Sequence, residues 1–385
     1  MRVLQVTNMI SHHQLPLARK IAEMVGVENF RFAVTDPPHA HVERQQLGWN
    51  SQENEPWIIR AGEFNKDQME LEQWWEEADV VICGERRFSR MQDRLDEGKL
   101  TFYMSERWWK PPIGMARLLH PRFALMTARF AKIAKSPLFH YLPQGGGAAD
   151  DMRRIAAFNG RMWQWGYFTE LPNPLPSCDR NGGGLRVLWA GRMLAWKRVE
   201  TLIRAFSQLQ QECQDATLTL VGYGPERIRL ESLAGKLLAA NSYRFLPPMP
   251  VPRVLELMRQ HHIYVLPSNG YEGWGAVVNE AMSVGCTVIA SAAAGAAKTM
   301  IRSEENGLTF HPGDFQMLSR HLSLLCRNEI IRRKLAEEGQ RTITECWAPA
   351  VAAERFLVVS KALLSDRPVP NYPDGPMVPA WKRQP

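Results

Sequence analysis

Residues Ile263 to Ser291 read IYVLPSNGYEGWGAVVNEAMSVGCTVIAS. Four apolar residues open the stretch, and a second apolar run, Cys286–Ser291, closes it. Between them lie a loop rich in glycine and a short helical pattern. Two continuous apolar strands joined through a helix form a strand–helix–strand unit, whose strands run parallel and are covered on both faces. The same alternation continues outward. Leu185–Ala190 and Thr217–Val221 read as strands, as does Ser242–Leu246. Val199, Leu202, Ile203, Phe206 and Leu209 recur at helical spacing between the first two. Glu226–Ala239 reads as the next helix, and Pro252 suits a first helical turn.

The N-terminal half repeats the pattern less cleanly, with strand candidates at Val3–Val6, Phe32–Thr35, Trp57–Ile59, Val80–Cys83, Thr101–Met104 and Phe139–Leu142. The segment TELPNPLPSCDRNGGG, Thr169–Gly184, has the composition of a linker. The fold class is therefore α/β, with two Rossmann-like, doubly wound domains expected to face across a cleft. The expected boundaries are 1–168 for an N-terminal Rossmann-like domain, 169–184 for the linker and 185–345 for a C-terminal Rossmann-like domain. Residues 346–385 would form a helix, about Pro349–Leu364, returning toward the N-domain, and a Pro-rich tail without a core of its own.

Bulk properties agree with this division. A chain of 385 residues exceeds one ordinary core. Its formal net charge of +7 suits an anionic partner without naming one. Six scattered cysteines form no C-x-x-C, so neither a disulfide framework nor a zinc site is expected. The start, MRVLQVTNMISHH, lacks the apolar core of a signal peptide. A cytoplasmic location is expected, with room for peripheral attachment to the inner face of a membrane.

The loops after the C-terminal strands should emerge on one sheet edge. There, Glu280 shares a helical face with Val277 and Val284, a position that requires donors for its carboxylate. Vicinal ribose hydroxyls would serve, and so would a neighbouring Arg. Gly273, Trp274 and Gly275 precede that helix, where backbone N–H groups attract phosphate, unless the segment is only a turn. Arg192 and Lys197 follow another strand and suit either a diphosphate clamp or a solvated pair.

Taken together, these motifs resemble the C-terminal domain of the retaining family-4 glycosyltransferases, which have the GT-B fold. Glu272 and Glu280 match that family's Glu-x7-Glu. Gly191, Arg192 and Lys197 match G-R-x-x-x-x-K, Val221–Pro225 match V-G-x-G-P, and Asn306–Asp314 match N-G-L-x-x-x-P-G-D. The resemblance implies a retaining, metal-independent hexosyltransferase that uses a nucleotide sugar as substrate and no cofactor. Glu280 would hold ribose, Glu272 the donor sugar, the amides of Gly273, Trp274, Gly275 and Ala276 the phosphates, and Arg192 and Lys197 the diphosphate. Gly222 and Pro247 would lie on the donor side. Pro247 stands where the family usually has glycine in its base-contacting loop, which leaves the base open.

The N-terminal half departs from the family. NMISHHQLP replaces a glycine-rich loop, so His12 and His13 are candidates for acceptor or phosphate contact, or for a surface pair. Where many members carry a functional histidine, this chain has Ser105 and Glu106. Glu106 would act near the transferred sugar or pair with Arg107.

From Arg107 to Ala149 there is no Asp or Glu. Arg107, Lys110, Arg117, Arg122, Arg129, Lys132 and Lys135 interleave with Trp108, Trp109, Leu118, Leu119, Phe123 and Phe130. The 107–135 segment suits either an anionic membrane surface, with a lipid-linked or saccharide acceptor in polysaccharide or glycolipid assembly, or a core helix with a solvated face. Nucleic acid is not expected. Competing readings are a sugar-nucleotide epimerase or phosphorylase on the same fold, and a non-catalytic membrane-surface binding protein. A dehydrogenase is disfavoured, since no G-x-G-x-x-G follows the first strand.

Overall fold

A computed structural model describes residues 1–37, 55–155, 158–178, 180 and 182–381. Asp179 and Asn181 of the expected linker, and the last four residues of the tail, lie outside the described residues. The chain divides into two compact units, Met1–Glu170 with Cys346–Pro385, and Leu171–Glu345.

The N-terminal unit holds six strands: β1 (Val3–Thr7), β2 (Phe30–Val34), β3 (Ile58–Arg60), β4 (Val80–Cys83), β5 (Leu100–Ser105) and β6 (Phe139–Pro143). They pair in the order β3-β2-β1-β4-β5-β6, all parallel. The C-terminal unit holds β7 (Arg186–Ala190), β8 (Thr217–Val221), β9 (Tyr243–Leu246), β10 (Ile263–Leu266), β11 (Thr287–Ser291) and β12 (Leu308–Phe310). Their order is β12-β11-β10-β7-β8-β9, again all parallel. Both sheets therefore reverse strand order at the same place, between the first and fourth strands of the unit. This is where open parallel sheets bind ligands, beyond the carboxyl ends. β10 and β11 are buried at every position, as two-sided coverage requires. β12 went unread in the sequence because three residues give too short an apolar signal.

The final helix, Pro349–Leu364, packs in the N-terminal unit, with the Phe356 ring 5.1 Å from that of Phe102 on β5. The Pro-rich tail continues there as a strap. Val378 O accepts from Gln164 N at 2.7 Å, Met162 O accepts from Ala380 N at 2.8 Å, and Met377 is fully buried. The tail has no core of its own, but it borrows one. Trp74, Trp75, Trp163 and Trp165 are buried packing residues.

Cys213 and Cys326, separated by 113 residues in sequence, stand side by side in the C-terminal unit. Their distance in sequence hid the fact that helices Val199–Leu209 and Phe315–Arg327 pack against each other.

Three buried histidines make stability depend on pH; burial pushes His262 down to about 4, and the other two follow the same rule. Burial pushes His140 down to about 3, with a smaller push from Arg161, and Trp163 Nε1 donates to its Nδ1 at 3.1 Å. Burial likewise pushes His261 down to about 4, and its Nε2 lies 2.9 Å from Thr219 Oγ1. All three folded values lie below the unfolded one, so the unfolded chain binds more protons and stability rises with pH. Their contribution is complete above about pH 6.5 and is lost as pH falls toward 4 and then 3. His140 and His261 are each worth on the order of 3 kcal/mol. The urea midpoint should therefore fall between about pH 7 and about pH 5. A flat midpoint across that window would show that none of the three imidazoles stays neutral in the native state.

Candidate active site

In the C-terminal unit, the loops after β7 and β10 meet at the point where strand order reverses. Tyr264 on β10 donates its hydroxyl to Ala190 O at the end of β7 at 3.0 Å. Burial holds that phenol far above its ordinary range, and the charges of Glu280 and Glu272 push the same way. The loop after β7 carries Lys197 in the short helix Ala195–Lys197. Asn269 N donates to Trp196 O at 2.9 Å, which ties that loop to the one after β10.

Lys197 Nζ then lies 2.5 Å from Glu272 Oε2, with side chains 16% and 10% exposed. Ser268 Oγ donates to the same oxygen at 2.8 Å and is itself fully buried. Both donors converge on Oε2, which fixes the carboxylate and turns Oε1 away from them. The Lys197 ammonium also sits 4.4 Å from the Trp196 ring centroid, in cation–π range. Ser268 was missed in the sequence, although it stands four residues before Glu272 in the opening stretch. A lone serine carries no signal of what it bonds.

The segment after Glu272 is pinned by backbone contact. A Cβ on Gly295 would stand 2.0 Å from Gly273 O, and Ala296 N donates to Trp274 O at 2.8 Å. The Trp274 indole is buried and donates to Asn279 Oδ1 at 2.8 Å. Gly275 and Ala276 lead into helix Val277–Ser283. Val277 and Glu280 on this helix are half-buried, while Val284, the third residue of the expected face, is fully buried.

The other expected donor residues follow β7, β8 and β9 in turn, and Gly222 packs against the β7 end, where a Cβ on it would stand 1.9 Å from Gly191 O. Arg192 is exposed just past β7, and its side chain makes no ion pair or hydrogen bond among the described residues. Gly222 ends β8, and its N–H donates to Leu246 O at 3.1 Å. Pro247 is exposed beyond β9, an edge strand. The Asn306–Asp314 motif serves as scaffold. Asn306 is buried and donates to Met300 O and Thr342 Oγ1, both at 3.0 Å, and Asp314 Oδ1 caps a helix by accepting from Met317 N at 2.8 Å.

In the N-terminal unit, a second cluster forms at the carboxyl ends of the strands. The His12 and His13 rings lie 3.7 Å apart after β1, and His13 lies 5.6 Å from the ring of Tyr167. The Tyr167 hydroxyl donates to Glu106 Oε1 at 3.3 Å, and Lys110 Nζ donates to Glu106 Oε2 at 2.8 Å. Glu106 thus does not pair with Arg107, whose guanidinium turns to the buried Asp151 at 3.3 Å. On the segment after β5, Lys110 follows Glu106 by four residues, which brings its ammonium back to the carboxylate. Tyr167 was missed because it lies sixty-one positions from Glu106.

Two parallel six-stranded sheets, each with the same switch point, define the GT-B class of fold. The chain superposes on Anabaena HepE in complex with UDP with a TM-score of 0.68 at 15% identity, covering 93% of this chain and 98% of that one. It superposes on sucrose-phosphate synthase of Thermosynechococcus elongatus with a TM-score of 0.66 at 17% identity, covering 95% and 100%. Residues 178–342, most of the C-terminal unit, match the family Glycosyl transferases group 1. Phosphatidyl-myo-inositol mannosyltransferase of Mycobacterium leprae is 31% identical over 216 residues, 52% of this chain and 57% of that protein. D-inositol 3-phosphate glycosyltransferase of Salinispora arenicola is 31% identical over 168 residues, 41% and 37%. The chain spans about half or less of the length of these curated relatives.

Proposed function

We propose that the protein is a retaining glycosyltransferase of the hexosyl type. It moves a sugar from a nucleotide diphosphate donor to an acceptor hydroxyl in polysaccharide or glycolipid assembly. The observation that carries the reading is the Lys197–Glu272 pair, fixed by Ser268 at the switch point of the unit that matches Glycosyl transferases group 1. A carboxylate beside an ammonium offers one group for sugar hydroxyls and one for phosphate oxygens.

In this reading, Glu272 holds the donor sugar through Oε1, and Lys197 and Arg192 hold the diphosphate. The bond between the anomeric carbon and the β-phosphate oxygen breaks, and the two cations stabilise the charge left on the nucleotide diphosphate. No metal is required for that neutralisation. The acceptor oxygen attacks from the face the nucleotide leaves, and its proton passes to the departing phosphate. Glu280 receives the ribose hydroxyls, the amides of Gly273, Trp274, Gly275 and Ala276 the phosphates, and Gly222 and Pro247 line the base side. Glu106, oriented by Tyr167 and Lys110, works near the transferred sugar, with His12 and His13 beside it for acceptor or phosphate. The N-terminal domain binds the acceptor, and the reaction takes place in the cytoplasm. A relative named for a phosphatidyl-inositol acceptor supports a lipid-linked substrate, and HepE bound to UDP supports a uridine nucleotide.

A thermal-shift screen of nucleotide sugars, uridine donors first, tests this reading. A donor present at about a hundred times its Kd should stabilise the fold by about 2.7 kcal/mol. NMR of the product should show the donor's anomeric configuration, with and without chelator. A panel without any shift, or an inverted anomer, would refute the proposal.

A further inference from the structure

Helix Pro121–Ile133 buries Phe130 and Ile133 in the N-terminal unit. Trp108 and Trp109, just upstream, are buried as well, so the aromatics that the sequence interleaves with basic residues belong mostly to the core. The outer face is different in kind. Arg122, Leu125, Arg129 and Lys132 lie on one side of the helix and are all exposed. The short helix Gly114–Leu119 brings further aliphatic side chains beside them. Leu119 is 86% exposed, Leu125 55%, Ile113 54% and Met115 46%. Ile113, Leu119, Phe123 and Met126 line an open groove of about 690 Å³, with Arg117 and Arg122 beside them.

The charges on this face are not neutralised among the described residues. Arg122, Arg129, Lys132 and Lys135 make no side-chain ion pair or hydrogen bond among the described residues. The cations of the segment that are paired, Arg107 and Lys110, stand at its start, on Asp151 and Glu106. Exposed Arg86 adds another positive charge, with Nη1 3.8 Å from Met126 Sδ. A solvated helix face accounts for the cations but not for four large aliphatic side chains among them. A protein partner would ordinarily be anchored by exposed aromatics. Here the exposed apolar groups are Leu, Ile and Met, and the tryptophans point inward.

We propose that this face docks the protein on a leaflet of anionic phospholipid. Leu119, Ile113 and Leu125 enter the acyl boundary, while Arg122, Arg129, Lys132 and Lys135 meet the phosphates. The inference does not rest on the transferase reading, and the two can fail separately. Among the described residues no helix is long and apolar enough to cross a membrane.

Co-sedimentation of the full chain with vesicles tests the proposal, using phosphatidylcholine alone and phosphatidylcholine with a third of phosphatidylglycerol. Wild type should sediment with the anionic vesicles at low salt, be released at high salt, and stay in solution with the neutral ones. Each cation near the surface is worth about fivefold in partition, so R129E with K132E should lower binding by at least about twenty-five-fold. L119D should lower it about tenfold or more by removing the most exposed wedge. All three positions are exposed, so melting temperature and donor turnover should not change. Wild type that ignores anionic vesicles would overturn the proposal, as would variants that bind as well as wild type. A dimer in solution dispersed by L119D, without vesicle binding, would also overturn it, in favour of a second copy on this face.

Discussion

Lys197→Ala is expected to erase the thermal shift that a nucleotide sugar gives the wild type, and to lower kcat by about 10²–10³-fold. Its ammonium is the closest positive charge to Glu272, and their pair is mostly shielded from water. Removing it takes away one phosphate partner and leaves a carboxylate that only Ser268 still holds. Losing one member of a shielded pair costs about 3 kcal/mol of stability by itself. The shift must therefore be read against the variant's own melting point without ligand. Ser268→Ala makes the companion measurement. It leaves Lys197 in place but releases one of the two donors on Oε2, so binding of the nucleotide sugar should weaken several-fold while binding of the free nucleotide does not change. If the full shift survives in Lys197→Ala, the clamp is misassigned. If Ser268→Ala weakens sugar and nucleotide equally, Oε1 does not face the sugar.

Gly222→Ala should be the most damaging small substitution at the site's edge. Gly222 has φ +137°, and a Cβ there would stand 1.9 Å from the carbonyl oxygen of Gly191. Both atoms belong to backbone held by ladder bonds, Gly191 N to Val221 O at 3.0 Å and Gly222 N to Leu246 O at 3.1 Å, so neither can yield cheaply. A loss of about 3 kcal/mol or more is expected, and a fall in Tm of about 6–12 °C. The loop that carries Arg192 would shift with it. Gly235→Ala is the control. It lies within helix Arg227–Leu237, where the nearest atom to a new Cβ is Tyr243 Oη at 3.6 Å. That variant should gain up to about 1 kcal/mol. Equal melting points for the two alanine variants would show that the β7 and β8 ends do not abut as described.

The fold was legible because parallel strands covered on both faces must be apolar at each position. Val80–Cys83, Thr217–Val221 and Ile263–Leu266 match their sequence reading residue for residue. Lys197 and Glu272 were also legible, since strand ends mark where their loops must emerge. Spacing did not reveal that Val277 and Glu280 stay half-buried while Val284 is fully buried, and scattered cysteines gave no sign that Cys213 and Cys326 stand side by side.

What the sequence determined by itself is the periodic part: eleven of the twelve strands, their alternation with helices, and the motifs at their ends. Periodicity is a local property, set by which side of each element meets the core. Only the tertiary structure decided the partners: Ser268 with Lys197 on one carboxylate oxygen, Glu106 with Tyr167 rather than Arg107, and tryptophans inward with Leu119 outward. Such choices depend on distances between residues far apart in the chain, and these are fixed only once the sheets have formed and their connecting segments have packed.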